Sequence, residues 1–111
     1  MASNLTEVNE KRAACLIALK EWHDRDARPL HPEELAVRLG VKTQQDVIQK
    51  IADYLTNEGL VEHQGIGYRI SHKGIKALEE LETDPASPNV HLSEGLKDAL
   101  IMHGRHNSSG L

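Results

Sequence analysis

Phenylalanine is absent from this 111-residue chain, and Trp22, Tyr54 and Tyr68 are its only aromatic residues. A core must therefore be assembled from Leu, Ile, Val and Ala, which suits packed helices better than two facing sheets. Cysteine is nearly absent too. Cys15 stands alone, so no intramolecular disulfide can form and nothing points to an oxidising compartment. No apolar run approaches the roughly 20 residues of a membrane helix. The N-terminal "MASNLTEVNEKR" lacks the basic-then-apolar pattern of a secretory leader. These absences predict a soluble cytoplasmic protein with no membrane partner. A chain of this length makes one small domain with extensions, and its modest core would gain from burial at a dimer interface.

Catalytic signatures are missing as well. There is no glycine-rich phosphate loop, no GxSxG, no HExxH and no obvious catalytic pair, so neither an enzyme nor a cofactor is expected. Seven histidines are dispersed as His23, His31, His63, His72, His91, His103 and His106. Only His103-x-x-His106 has metal-like spacing, and it lacks a Cys pair or an adjacent carboxylate, so no metal site is predicted. Cys15 falls on an apolar helical stripe and reads as a small core residue, not an accessible redox thiol.

What the chain does have is unevenly placed charge. The formal net charge is −4, yet residues 1–78 hold 11 Lys/Arg and 11 Asp/Glu. The acidity comes from Glu79, Glu80, Glu82, Asp84, Glu94 and Asp98, set against Lys97 and Arg105. Residues 59–74, "GLVEHQGIGYRISHKG", contain no acid after Glu62, and none follows until Glu79. A basic stretch is thus compatible with an acidic chain, because the acids lie elsewhere.

Periodicity supplies the elements. Val8, Cys15, Leu16, Leu19 and Trp22 recur at helical steps and predict a helix over residues 6–24. Pro29 then breaks the pattern, leaving residues 28–30 for a very short strand. "HPEELAVRLGV" reads as a second helix, with Pro32 at its first position, Glu33 and Glu34 at the positive end of its dipole, and Gly40 as its cap. "TQQDVIQKIADYLTNEG" reads as a third helix, with Thr43 and Asp46 at capping-box spacing and Gly59 as its stop. Val47, Ile48, Ile51, Ala52 and Leu55 form its buried stripe. The three residues between these helices force a steep crossing, the helix-turn-helix geometry. "LVEHQ" and "YRIS" are short strands joined by a three-residue connection, Gly65, Ile66 and Gly67. Ser71 caps a fourth helix with Ile75, Leu78 and Leu81 inward. "TDPASPN" ends the unit, and "SEGLKDALIMHG" makes a short helix from Ser93 to a stop at Gly104.

The order helix, short strand, helix, turn, helix, two-stranded ribbon, helix resembles the winged helix-turn-helix. "LAVRLGV" with "VIQKIADYL", then "LTNEGLVE" and "YRISHKGIKAL", resemble the corresponding parts of small bacterial regulators of the MarR and PadR types. The likeness covers roughly residues 10–81. It implies an α+β, mostly α fold: a three-helix core, a short strand plus a two-stranded β wing, and C-terminal helices. Residues 1–82 would be the winged-helix domain with its N-terminal helix. Residues 83–104 would be a Pro-containing turn and short helix, a candidate dimerisation element, and residues 105–111 a disordered tail.

The resemblance further implies a DNA-binding transcriptional regulator acting as a homodimer on double-stranded DNA. The third helix would lie in the major groove and the ribbon would reach an adjacent backbone or minor groove. Gln44, Gln45 and Gln49 would read base edges, while Thr43, Lys50, Arg69, Lys73 and Lys76 would hold the backbone. Ile66, between glycines, would be an apolar tip that wedges at a groove, contacts a protein, or folds back onto the sheet. Leu92, Leu96, Leu100 and Ile101, with Met102 adjacent, would build a dimer contact or pack on their own subunit. The third helix departs from a DNA-engaged pattern in carrying Asp46, Asp53 and Glu58 against Lys50. The alternative is therefore a winged-helix protein–protein adaptor without DNA binding, using the acidic C-terminal third.

Overall fold

The computed structural model describes residues 2–26, 28–40, 45–85 and 91–109, with the side chains of 7–26, 28–40, 46–85 and 91–103. Among these the order is α1 (Ala2–Arg25), α2 (Pro32–Leu39), α3 (Gln45–Asn57), β1 (Val61–Gln64), β2 (Gly67–Ile70), α4 (His72–Thr83) and α5 (Glu94–Ser109). The chain is α+β and mostly helical, with one two-stranded antiparallel sheet.

α1 lies at the centre. It packs against α2, α3, β2 and, most extensively, α5. That is why its buried set is broader than one stripe: Ala13 and Asn9 join Cys15, Leu16 and Leu19, whereas Val8 stays exposed and Trp22 half-buried. α1 also begins four residues before the expected start, since nothing in "ASNL" breaks a helix. The strand expected at residues 28–30 is reduced to a single antiparallel bridge between Leu30 and Tyr68. Each backbone N–H there donates to the other's carbonyl at 2.8 Å.

α2 starts with Pro32, and the Glu34 carboxylate accepts from the His31 N–H at 3.3 Å. Gly40, at φ 76°, closes it in the left-handed region. The turn, and with it Thr43 and Gln44, falls outside the described residues. α3 buries Ile48, Ile51, Ala52 and Leu55, with Val47 half-buried. It ends at Asn57, and Gly59 (φ 81°) turns the chain away.

The ribbon pairs Val61 with Ile70, Glu62 with Arg69, His63 with Tyr68 and Gln64 with Gly67. The connection is therefore two residues, Gly65 and Ile66, instead of three. Gly67 belongs to the strand because it lies flush on Pro29: a Cβ there would come 2.8 Å from that ring's Cβ. Gly65, at φ 60°, takes the conformation a tight hairpin demands of its first central residue.

Ser71 caps α4 as expected, accepting from the Gly74 N–H at 3.0 Å while its hydroxyl donates to the Gly59 carbonyl at 2.6 Å. Ala77, Leu78 and Leu81 are buried, and Ile75 is half-buried. Leu92, just before α5, and Leu96 and Leu100 on it are buried within the same chain, where α5 packs on α1. It passes Gly104 and reaches Ser109, so the expected stop is not used and the expected tail supplies its final turns. One glycine costs a helix only about 1 kcal/mol, too little by itself to end it.

Candidate nucleic-acid interface

The polar side of α3 and the ribbon meet at Tyr68. Its ring is 1% exposed, and its backbone is fixed to Leu30. Its hydroxyl donates to the Asp53 carboxylate at 3.0 Å, and the His63 imidazole stacks on its ring with centroids 4.7 Å apart and planes 14° off parallel. Burial pushes the Tyr68 hydroxyl from 10.0 up to about 12; the Asp53 carboxylate adds to the rise and the Gln49 side chain opposes it. Asp53 is exposed on α3, four residues after Gln49 and hence on the same face. Gln49, Lys50 and Asp46 are exposed as well. Gln45 opens the helix, and its side chain lies outside the described set.

The cations of β2 and the start of α4 divide into two kinds. Arg69 is half-exposed and stands opposite Glu62 across the strands, and Lys76 is exposed on α4. Lys73 is exposed too, but its Nζ donates to the Glu58 carbonyl at 3.0 Å, and its stem lies over Gly59. It thereby satisfies a free carbonyl at the end of α3 while keeping its charge and two further donors. His63 and His72 are exposed beside them.

Comparison of the chain with protein-family models, with curated proteins and with solved structures gives no match.

Several contacts have no counterpart in the sequence pattern. Asp53 is the most consequential: the four-residue step from Gln49 places it on the polar face, but no local pattern links it to Tyr68, 15 residues on. At the corner between α1 and α2, the guanidinium groups of Arg38 and Arg28 lie 4.4 and 4.8 Å from the Trp22 ring centre. Arg28 also pairs with Asp26 and Glu34 at 3.2 and 3.4 Å, and its carbonyl accepts from the Trp22 indole N–H at 2.9 Å. Arg12 sits 3.4 Å over Tyr54, joining α1 to α3. No spacing rule announces such cation–aromatic contacts between separate elements.

Elsewhere, a cavity of about 220 Å³ lies between α1, α4 and α5 over Ile17, Leu78, Leu81 and Leu100. Lys20 at its edge is paired with Asp24 at 3.1 Å. Cys15 is buried, which pushes its thiol from 9.0 up to about 12 and leaves no thiolate to react. Among the described residues no cluster of His, Cys, Asp or Glu is placed to hold a metal, and no helix is long and apolar enough to cross a membrane.

Proposed function

We propose that this chain is a winged helix-turn-helix protein of the MarR and PadR kind, binding duplex DNA as a transcriptional regulator and acting as a homodimer. The observation that carries the reading is an uncovered polar helix face with the ribbon held at its side and the cations of β2 and the start of α4, Arg69, Lys73 and Lys76, close behind it. Asp46, Gln49, Lys50 and Asp53 face solvent, and the Tyr68–Asp53 hydrogen bond sets the ribbon alongside them. In this reading α3 enters the major groove, where Gln44, Gln45 and Gln49 read base edges. Thr43, Lys50, Arg69, Lys73 and Lys76 take the phosphates. Two copies would occupy half-sites about 34 Å apart. Since Leu92, Leu96 and Leu100 are buried within their own chain, the copies would meet through other surfaces.

A second reading, a protein-binding winged helix, draws on the exposed acids of α3 and of the end of α4: Asp46, Asp53, Glu58, Glu79, Glu80 and Glu82. One experiment separates the two. Mobility shift with mixed-sequence duplex at two ionic strengths, beside light scattering, is expected to show binding that weakens steeply with salt. Arg69→Ala should flatten the log–log slope by about 0.9, one phosphate contact. No retention of duplex at low salt would favour the protein-binding module.

A further inference from the structure

The cavity between α1, α4 and α5 has no part in that reading, since none of the residues lining it belongs to α3, β1 or β2. Two helices build it on the same pattern. α1 supplies Ile17 and, three and four residues on, Lys20 and Glu21; α4 supplies Leu78 and, at the same steps, Leu81 and Glu82. Side chains so spaced share one helical face. Each helix therefore sets an acid one turn beyond an apolar residue, and Leu100 of α5 completes the apolar lining. Leu78, Leu81 and Leu100 are buried and Ile17 is half-buried, whereas Glu21 and Glu82 are exposed. The apolar residues thus form the floor and the acids the rim. The volume is about 220 Å³, against the ~150 Å³ of an apolar protein cavity that takes up benzene. There is room for a ring with a short arm.

We propose that this cavity binds a small organic cation, an amine whose apolar ring covers the floor and whose ammonium lies between Glu21 and Glu82. The charges at the rim select that class. Lys20, the only cation lining the cavity among the described residues, is already bonded to Asp24, Nζ to Oδ2 at 3.1 Å. Neither Glu21 nor Glu82 takes part in an ion pair among the described residues. An anion entering here meets two carboxylates and an engaged lysine, and a neutral body brings no charge to offset the acids. A protonated amine brings up to three N–H donors, and each bond to a carboxylate is strengthened by charge on both sides. Because the rim is open to water, the charge adds selectivity and modest affinity, while most of the binding comes from the ring leaving water. The site stands whether or not the chain binds DNA.

The test follows backbone amide resonances of the full chain during titration with phenethylamine, phenethyl alcohol and hydrocinnamate, which share a ring and arm and differ in charge. At neutral pH the amine is protonated. Phenethylamine should move the resonances of Ile17, Glu21, Leu78, Glu82 and Leu100 saturably, with a Kd on the order of 1 mM. Phenethyl alcohol should bind several-fold more weakly, and hydrocinnamate should leave these resonances in place at about 10 mM. Glu21→Gln and Glu82→Gln should each weaken the amine about two- to fivefold and leave the alcohol's affinity unchanged. Both side chains are exposed, so thermal unfolding of the free variants should match wild type. Equal affinity for amine and alcohol overturns the proposal, as does a double Gln variant that binds the amine as well as wild type. No saturable movement at these residues with phenethylamine overturns the site altogether.

Discussion

Tyr68 is the residue on which the candidate site turns, because it is held in three directions, by the facing strand, by α3 and by the segment before α2. Its backbone closes the bridge to Leu30, its ring face carries His63, and its hydroxyl reaches Asp53. Tyr68→Phe removes the last of these without changing ring volume. We expect a loss of about 1 kcal/mol, below the ~1.5–3 kcal/mol of a bond to a charged acceptor because Asp53 is open to water. The same residue makes stability depend on alkaline pH. A native hydroxyl titrating near 12 rather than 10.0 holds its proton more tightly than the unfolded chain does, as does the Cys15 thiol at about 12 rather than 9.0. Stability should therefore be flat up to about pH 9 and fall as pH rises towards 12, when the unfolded groups ionise first. Urea midpoints between pH 8 and 11.5 check this. Tyr68→Phe should lessen the fall above pH 10 and leave the Cys15 share intact; an unchanged profile in that variant would show that the hydroxyl is not the group responsible.

At the scale of elements, α3, the ribbon and α4 are closely fitted at their junction. Gly59 turns the backbone out of α3, and Ser71 bonds the Gly59 carbonyl while capping α4 through Gly74. A Cβ on Gly74 would meet the Leu60 carbonyl oxygen and Ile70 Cγ1. Because that oxygen is backbone, it cannot move aside cheaply, and Gly74→Ala should destabilise by roughly 1–3 kcal/mol. Chemical denaturation gives the value, and a variant as stable as wild type would mean that α4 can slide away from Leu60. Much of this junction was legible in the sequence: Gly40 and Gly59 as helix ends and Ser71 as a cap follow from backbone chemistry alone. The hairpin connection is two residues instead of the expected three because Gly67 is glycine for its fit on Pro29 and not for turn flexibility. α5 runs past its expected end for the opposite reason, since a lone Gly104 does not stop the helix. Periodicity found the buried stripe of α3, but nothing local told that Asp53 would be bonded to a residue 15 positions later.

Over the whole molecule, charge is sorted along α4. His72, Lys73 and Lys76 stand at its start beside the ribbon, while Glu79, Glu80, Glu82 and Asp84 are exposed towards and beyond its end. A field of this kind turns the ribbon towards a polyanion and the acids away from it, so a chain with net charge −4 need not be repelled as a body. The two lysines at the basic end are not equivalent in this arrangement. Lys73 holds the Glu58 carbonyl, whereas Lys76 is exposed with no such bond to α3. If both take phosphates, each alanine variant should lower the salt slope of duplex binding by about 0.9. Only Lys73→Ala should also lower thermal stability, by about 0.5–1.5 kcal/mol for the lost hydrogen bond. Lys73→Arg should recover the slope and part of the stability. A salt slope unmoved by Lys76→Ala would place the DNA contact on β1, β2 and α3 alone and confine the basic start of α4 to steering.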